Sequence, residues 1–103
     1  MNNLYLHDKF SSAVHSMATS PKSIQERIAE AYIFHLIHVK IEDVPEDIKC
    51  KYQNLKERLT SVNAIANEGT VMASIKDMPT EEAISIANDI LCIASVIASL
   101  YNA

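Results

Sequence analysis

The chain has 103 residues, 49% of them hydrophobic and 21% charged. That is enough apolar material for one folded domain, 1–103, and too much for a disordered polypeptide. One glycine and three prolines leave little turn material for a many-stranded β fold, and two cysteines are too few for a disulfide framework or paired CxxC zinc ligands. A net charge of −4, with pI near 5.4, opposes a general nucleic-acid binder, whose phosphate contacts need a positive face.

The first helix is read from Leu4 to Ala18. Leu6, Phe10, Ala13, Val14 and Met17 make one stripe, and Asp8, Lys9, Ser12, His15 and Ser16 lie off it. "SPKSIQE" then resets the chain. Ser20 is taken as the cap ahead of Pro21, with Ser23 and Glu26 as an alternative capping box. The second helix is expected to run to about Lys40. At about 100° per residue, Ile24, Ile28 and Ala31 define its inward face. His35 continues that face and His38 sits at its edge. Ile33, Leu36, Ile37 and Ile41 spread apolar surface round the rest of the second half, so this segment is expected to be buried on more than one side.

"EDVPED" is the next boundary, with Asp43 as cap, Glu46 replying and Pro45 in the first turn. Val44, Ile48, Tyr52, Leu55, Leu59 and Val62 form a narrow stripe, marking a surface helix that extends toward Ala66 and stops before Gly69. "TVMASIKDM" predicts a short helix with Val71, Met72 and Ile75 inward. Thr80 then caps a last helix reaching Tyr101, with Glu81 and Glu82 at its positive end. Short connections make neighbours antiparallel. The expected fold is all-α, an up-and-down antiparallel bundle of four main helices with a short extra helix before the last. Phe10, Ile28, Tyr52, Leu55, Ile90 and Ile97 are expected in its core.

Three chemistries compete for the polar residues. His35 and His38, three apart, can share a metal with His7 across a helical hairpin or with Glu42 four residues on. No HExxH or Glu-x-x-His pair accompanies them, and a hydrogen-bonded, partly buried His35 without metal is the preferred reading. Lys49, Lys51, Lys56 and Arg58 on the third helix could clamp phosphates while Gln53 and Asn54 read bases. Their placement on either side of the apolar stripe fits stems covering that stripe better. Cys50, between two lysines, is expected to be an exposed ordinary thiol rather than a nucleophile.

The last helix says most about function. From Ile90 to Ala103 it carries no charge, and Asn88, Cys92, Ser95 and Ser99 make a small, uncharged face where solvent-facing helices normally carry Lys, Glu or Arg. No phosphate loop, nucleophile elbow or other catalytic motif is present. The general character is that of small bacterial helical proteins, which implies no activity. The expected function is therefore non-enzymatic, with no cofactor: an adaptor, regulator or inhibitor that binds protein and self-associates as a homodimer or small oligomer, the alternatives being a metal-binding bundle or enzyme using His35 and His38 and a nucleic-acid-binding regulator using the third helix. Its contact is expected at Asn88, Cys92, Ser95 and Ser99 or at Phe34, Ile37 and Ile41, and an acidic surface would suit a basic partner. "MNNLYLHDKF" lacks the pattern of a signal peptide. The Ile90–Tyr101 run is also shorter than the ~20 residues that span a bilayer. A reducing cytoplasm, without membrane or nucleic-acid partners, is the expected setting.

Overall fold

The N-terminal stripe becomes α1 (Asn3–Thr19), which turns Leu6, Phe10, Ala13 and Met17 inward with Val14 at the margin. The computed structural model describes residues 3–61 and 68–102. α2 (Ile24–Ala31) starts later than the Ser20–Pro21 reading places it. Ser23 is the cap: its Oγ accepts the Glu26 amide at 3.2 Å and donates to Glu26 Oε1 at 3.1 Å. Those paired bonds fix the start at Ile24, whereas Ser20 Oγ accepts only the Lys22 amide outside the helix.

α2 does not continue regularly to Lys40. It passes into one π-turn over Tyr32–Leu36, closed by the Ile37 amide donating to the Tyr32 carbonyl at 2.8 Å. A π-turn holds one residue more than an α-turn and rotates everything downstream. Tyr32 is buried at its start, and downstream of it the inward positions move accordingly, to Leu36 and Val39. The segment then turns at Ile37–His38 and makes a short 3₁₀ turn, Ile41–Asp43. Tyr52, from the next helix, donates its hydroxyl to the Leu36 and Val39 carbonyls, 2.9 and 2.8 Å away, and so secures this helix end.

α3 (Glu46–Leu59) buries Ile48, Tyr52, Leu55 and Leu59, the expected stripe. Its cap differs from expectation. Asp43 belongs to the 3₁₀ turn, and extended Pro45 occupies the cap position with no side-chain bond. Glu46 and Asp47 at one end and Lys56 and Arg58 at the other complement the helix dipole instead. α3 ends at Leu59, where Thr60 bonds back to the Lys56 carbonyl; the suggested extension through Val62 to Ala66 lies outside the described residues. Gly69 lies within α4 (Glu68–Ile75) rather than beyond a helix end. Val71 and Ile75 point inward with Ser74 between them. Met72, about 100° round from Val71, is exposed rather than inward.

α5 (Thr80–Asn102) starts with the Ala83 amide bonded to the Pro79 carbonyl, so Thr80 is its first residue rather than its cap. The Thr80 hydroxyl instead accepts from Gln25 Nε2, which also donates to the Met78 carbonyl; together these tie the starts of α2 and α5. Ala83, Ile86, Ile90, Ile93 and Ile97 are inward.

α5 packs along α1, α2 and α3, and side-chain register gives the directions. Lys51 faces Asp89 while Arg58 faces Glu82, so α3 and α5 are antiparallel. Tyr32 meets Lys56 while Leu36 meets Tyr52, so the π-turn that continues α2 runs antiparallel to α3. The fold is the expected all-α bundle. All six residues assigned to its core are buried, and Phe10 meets Tyr52 edge-on at 5.7 Å.

Candidate functional site

Beyond Asp89, the inner side of α5 is consumed by Ile90, Ile93 and Ile97, each at most 1% exposed. Its other side ends in apolar and small residues. Leu91 is 46% exposed and Leu100 43%, and Cys92, Ser95 and Ser99 are exposed beside them, continuing from Asn88. The four uncharged residues singled out in the sequence therefore share one open face.

The neighbouring element deepens it. α1 presents Ser11, Val14, His15 and Ala18 to Leu91, Ala94, Ser95 and Ala98 of α5, leaving a groove of about 510 Å³. The cause is size: alanine and serine on both helices cannot fill the space between two backbones. The groove runs past Val14, Ala18 and Leu91 into a hollow of about 210 Å³ that Arg27 and Met17 also line. The α1 side of this groove was not anticipated, although Ser11, His15 and Ala18 follow the helical i, i+4, i+7 spacing that could have shown it.

The residues of the other expected contact differ in exposure. Phe34 is 67% exposed, but Ile37 and Ile41 are half-buried against the core, because the π-turn and the turn after it change their directions. As a helix, α5 also exceeds the apolar run expected from sequence. Thr80–Tyr101, 22 residues, is long and apolar enough by length and composition to cross a bilayer. In this bundle it supplies core isoleucines, and its Asp89 carboxylate is held by Lys51 and Arg58.

The histidines are dispersed. His35 is half-buried, as expected, yet makes no hydrogen bond among the described residues, while His38 and Glu42 are exposed. The π-turn gives the inward places to Leu36 and Val39 instead. His7 stacks on Tyr101 with ring centroids 4.4 Å apart, packing the start of α1 on the end of α5. Among the described residues no three His, Cys, Asp or Glu side chains converge as a metal-holding group.

The basic side chains of α3 mostly face acids. Lys49 lies 3.5 Å from Glu46, Lys51 3.5 Å from Asp89, and Arg58 3.5 Å from both Glu82 and Asp89. Gln53 donates to Glu57 rather than standing free as a base reader, and Asn54 is exposed. These pairs offset much of the charge that a phosphate-binding helix would present. Cys50 is exposed, as is Cys92. The chain matches no protein-family model, no curated protein and no solved structure.

Proposed function

We propose that the protein acts by binding protein, without catalysis, and that it pairs with a second copy of itself through the outer face of α5 and the groove beside α1. The observation that carries this reading is the charge-free second half of α5, with Leu91 left open at a groove built from small residues and Cys92, Ser95 and Ser99 exposed on the same helix. Contiguous apolar surface of this kind is unusual on a monomer and tends to mark contacts. Two-fold pairing is the commonest way to cover it.

Charge supports the choice of partner. Two copies of a chain with net charge −4 repel through most of their surfaces. They meet at least cost where neither carries charge. A standard interface takes about 800 Å² from each partner, roughly one-seventh of this molecule's 5905 Å² surface. The exposed thiols fit a reducing, cytoplasmic setting. A dimer of this form would suit an adaptor, regulator or inhibitor, and the remaining acidic surface would suit a basic second partner.

Sedimentation velocity at tens of micromolar tests the reading. A dimer is expected for the native chain and a monomer of unchanged helical content for Ser95→Glu, which places a carboxylate on the contact. A native chain sedimenting as a monomer across that range would refute self-association.

A further inference from the structure

Lys56 differs from the other cations of α3. Among the described residues no carboxylate lies within ion-pair range of its ammonium, whereas Lys49, Lys51 and Arg58 all face acids. Its Nζ is drawn inward, 5.2 Å from the Tyr32 ring centroid and 5.8 Å from that of Tyr52, and it donates to the Tyr32 hydroxyl at 2.8 Å. A neutral phenol and two ring faces ease the loss of water but supply no counter-charge. Burial holds the Lys56 pKa below the ordinary lysine value.

The ammonium stands at a pocket of about 250 Å³ lined by Tyr32, Ile37, Lys56, Thr60 and Thr70. Among the described residues its polar lining is rich in donors: an ammonium, a phenol and two threonine hydroxyls. Thr60 already donates to the Lys56 carbonyl, so Lys56, Tyr32 and Thr70 supply the donors that remain. Ile37 adds an apolar wall. Tyr32 opens the π-turn, an irregularity that is often retained at functional sites.

We propose that this pocket binds the oxyanionic head of a small molecule, a carboxylate or a phosphate, with the Lys56 ammonium as its counter-charge and Ile37 against its apolar part. The site is separate from the α1/α5 face and does not depend on self-association. An anion here would form charge-assisted hydrogen bonds where none of the described carboxylates reaches.

The test is amide NMR of the full chain, titrated separately with sodium acetate and sodium phosphate at an ionic strength fixed with sodium chloride. Saturable shifts are expected at Ile37, Thr60 and Thr70 with at least one of the two. Response to acetate alone assigns a carboxylate head, response to phosphate alone a phosphoryl head, and response to both a general oxyanion site. In Lys56→Met, which keeps most of the stem, binding should weaken at least about tenfold. On the unaltered chain, the titration midpoint of the Lys56 Cε resonance should rise when the anion is bound. No saturable shift with either anion, equal binding by Lys56→Met, or an unmoved Lys56 midpoint would overturn the proposal.

Discussion

The two halves of α5 bury their inner sides in the same way and differ in the charge they carry elsewhere. Between Thr80 and Asp89, Ala83 and Ile86 face the core while Glu82 and Asp89 meet Arg58 and Lys51 of α3. Between Ile90 and Tyr101, Ile90, Ile93 and Ile97 face the same core, but Leu91, Cys92, Ser95, Ser99 and Leu100 face outward without a charge among them. The first half carries acids that α3 pairs, although it too leaves one large apolar side chain, Ile84, exposed. The second presents an apolar surface next to a groove, although its core needs are already met. Core formation therefore does not account for that outer side; the proposed association would cover it.

The largest expected effect separates inner from outer. Ile93→Ala should cost about 2–5 kcal/mol by lost transfer and a residual cavity, and Leu55→Ala on α3 should do the same. Leu91→Ala, measured by denaturant unfolding at concentrations low enough to keep the chain monomeric, should cost within about 0.5 kcal/mol, as surface sites do. Equal losses at Ile93 and Leu91 would remove the distinction between the two sides.

The next effect concerns the anchor that holds the helix end against α3. Tyr52→Phe should cost about 1–3 kcal/mol, because the Leu36 and Val39 carbonyls lose their phenolic donor. Burial pushes the Tyr32 phenol up to about 12 and the Tyr52 phenol well above its ordinary value. Both are neutral in the folded chain at a pH where the unfolded chain has released their protons. Stability from these groups is thus complete below pH ~10 and lost above it, at about 1.4 kcal/mol per pH unit for each phenol. Unfolding between pH 10 and 12 should show a slope near two phenols in the native chain and near one in Tyr52→Phe.

A smaller effect probes the charged half. Asp89→Asn removes the carboxylate shared by Lys51 and Arg58 and should cost about 1 kcal/mol or less, with the loss shrinking as salt is added. It should leave self-association unchanged in sedimentation, since those pairs lie on the side of α5 that α3 covers.

Helix α3 was legible from sequence because Ile48, Tyr52, Leu55 and Leu59 repeat at a regular period against polar neighbours. The segment after Ala31 has no such contrast. It is apolar nearly all round, so periodicity cannot reveal that one residue is inserted into a turn. That insertion moves the inward positions from His35 to Leu36 and from His38 to Val39. Part of what holds the altered turn, the Tyr52 hydroxyl, comes from 16 residues away and leaves no local trace. The uncharged face of α5 could be read directly as an absence of charge. Its groove could not, because the depth depends on Ser11, His15 and Ala18 lying opposite Ala94, Ser95 and Ala98 across two helices far apart in the chain. The Lys56 pocket was hidden for a related reason: ion pairing distinguishes that lysine from its neighbours only once Tyr32, Asp89 and Glu82 are in place.

The native chain carries its own probe of the central claim, one exposed thiol on the proposed contact and another on α3. The measurement is the rate at which a small maleimide labels Cys92 and Cys50, resolved by peptide mass spectrometry, as the protein is taken from nanomolar to tens of micromolar. Pairing through the outer face of α5 predicts that Cys92 labelling slows as concentration rises while Cys50 labelling stays constant. Rates for both thiols that do not change with concentration would contradict the account.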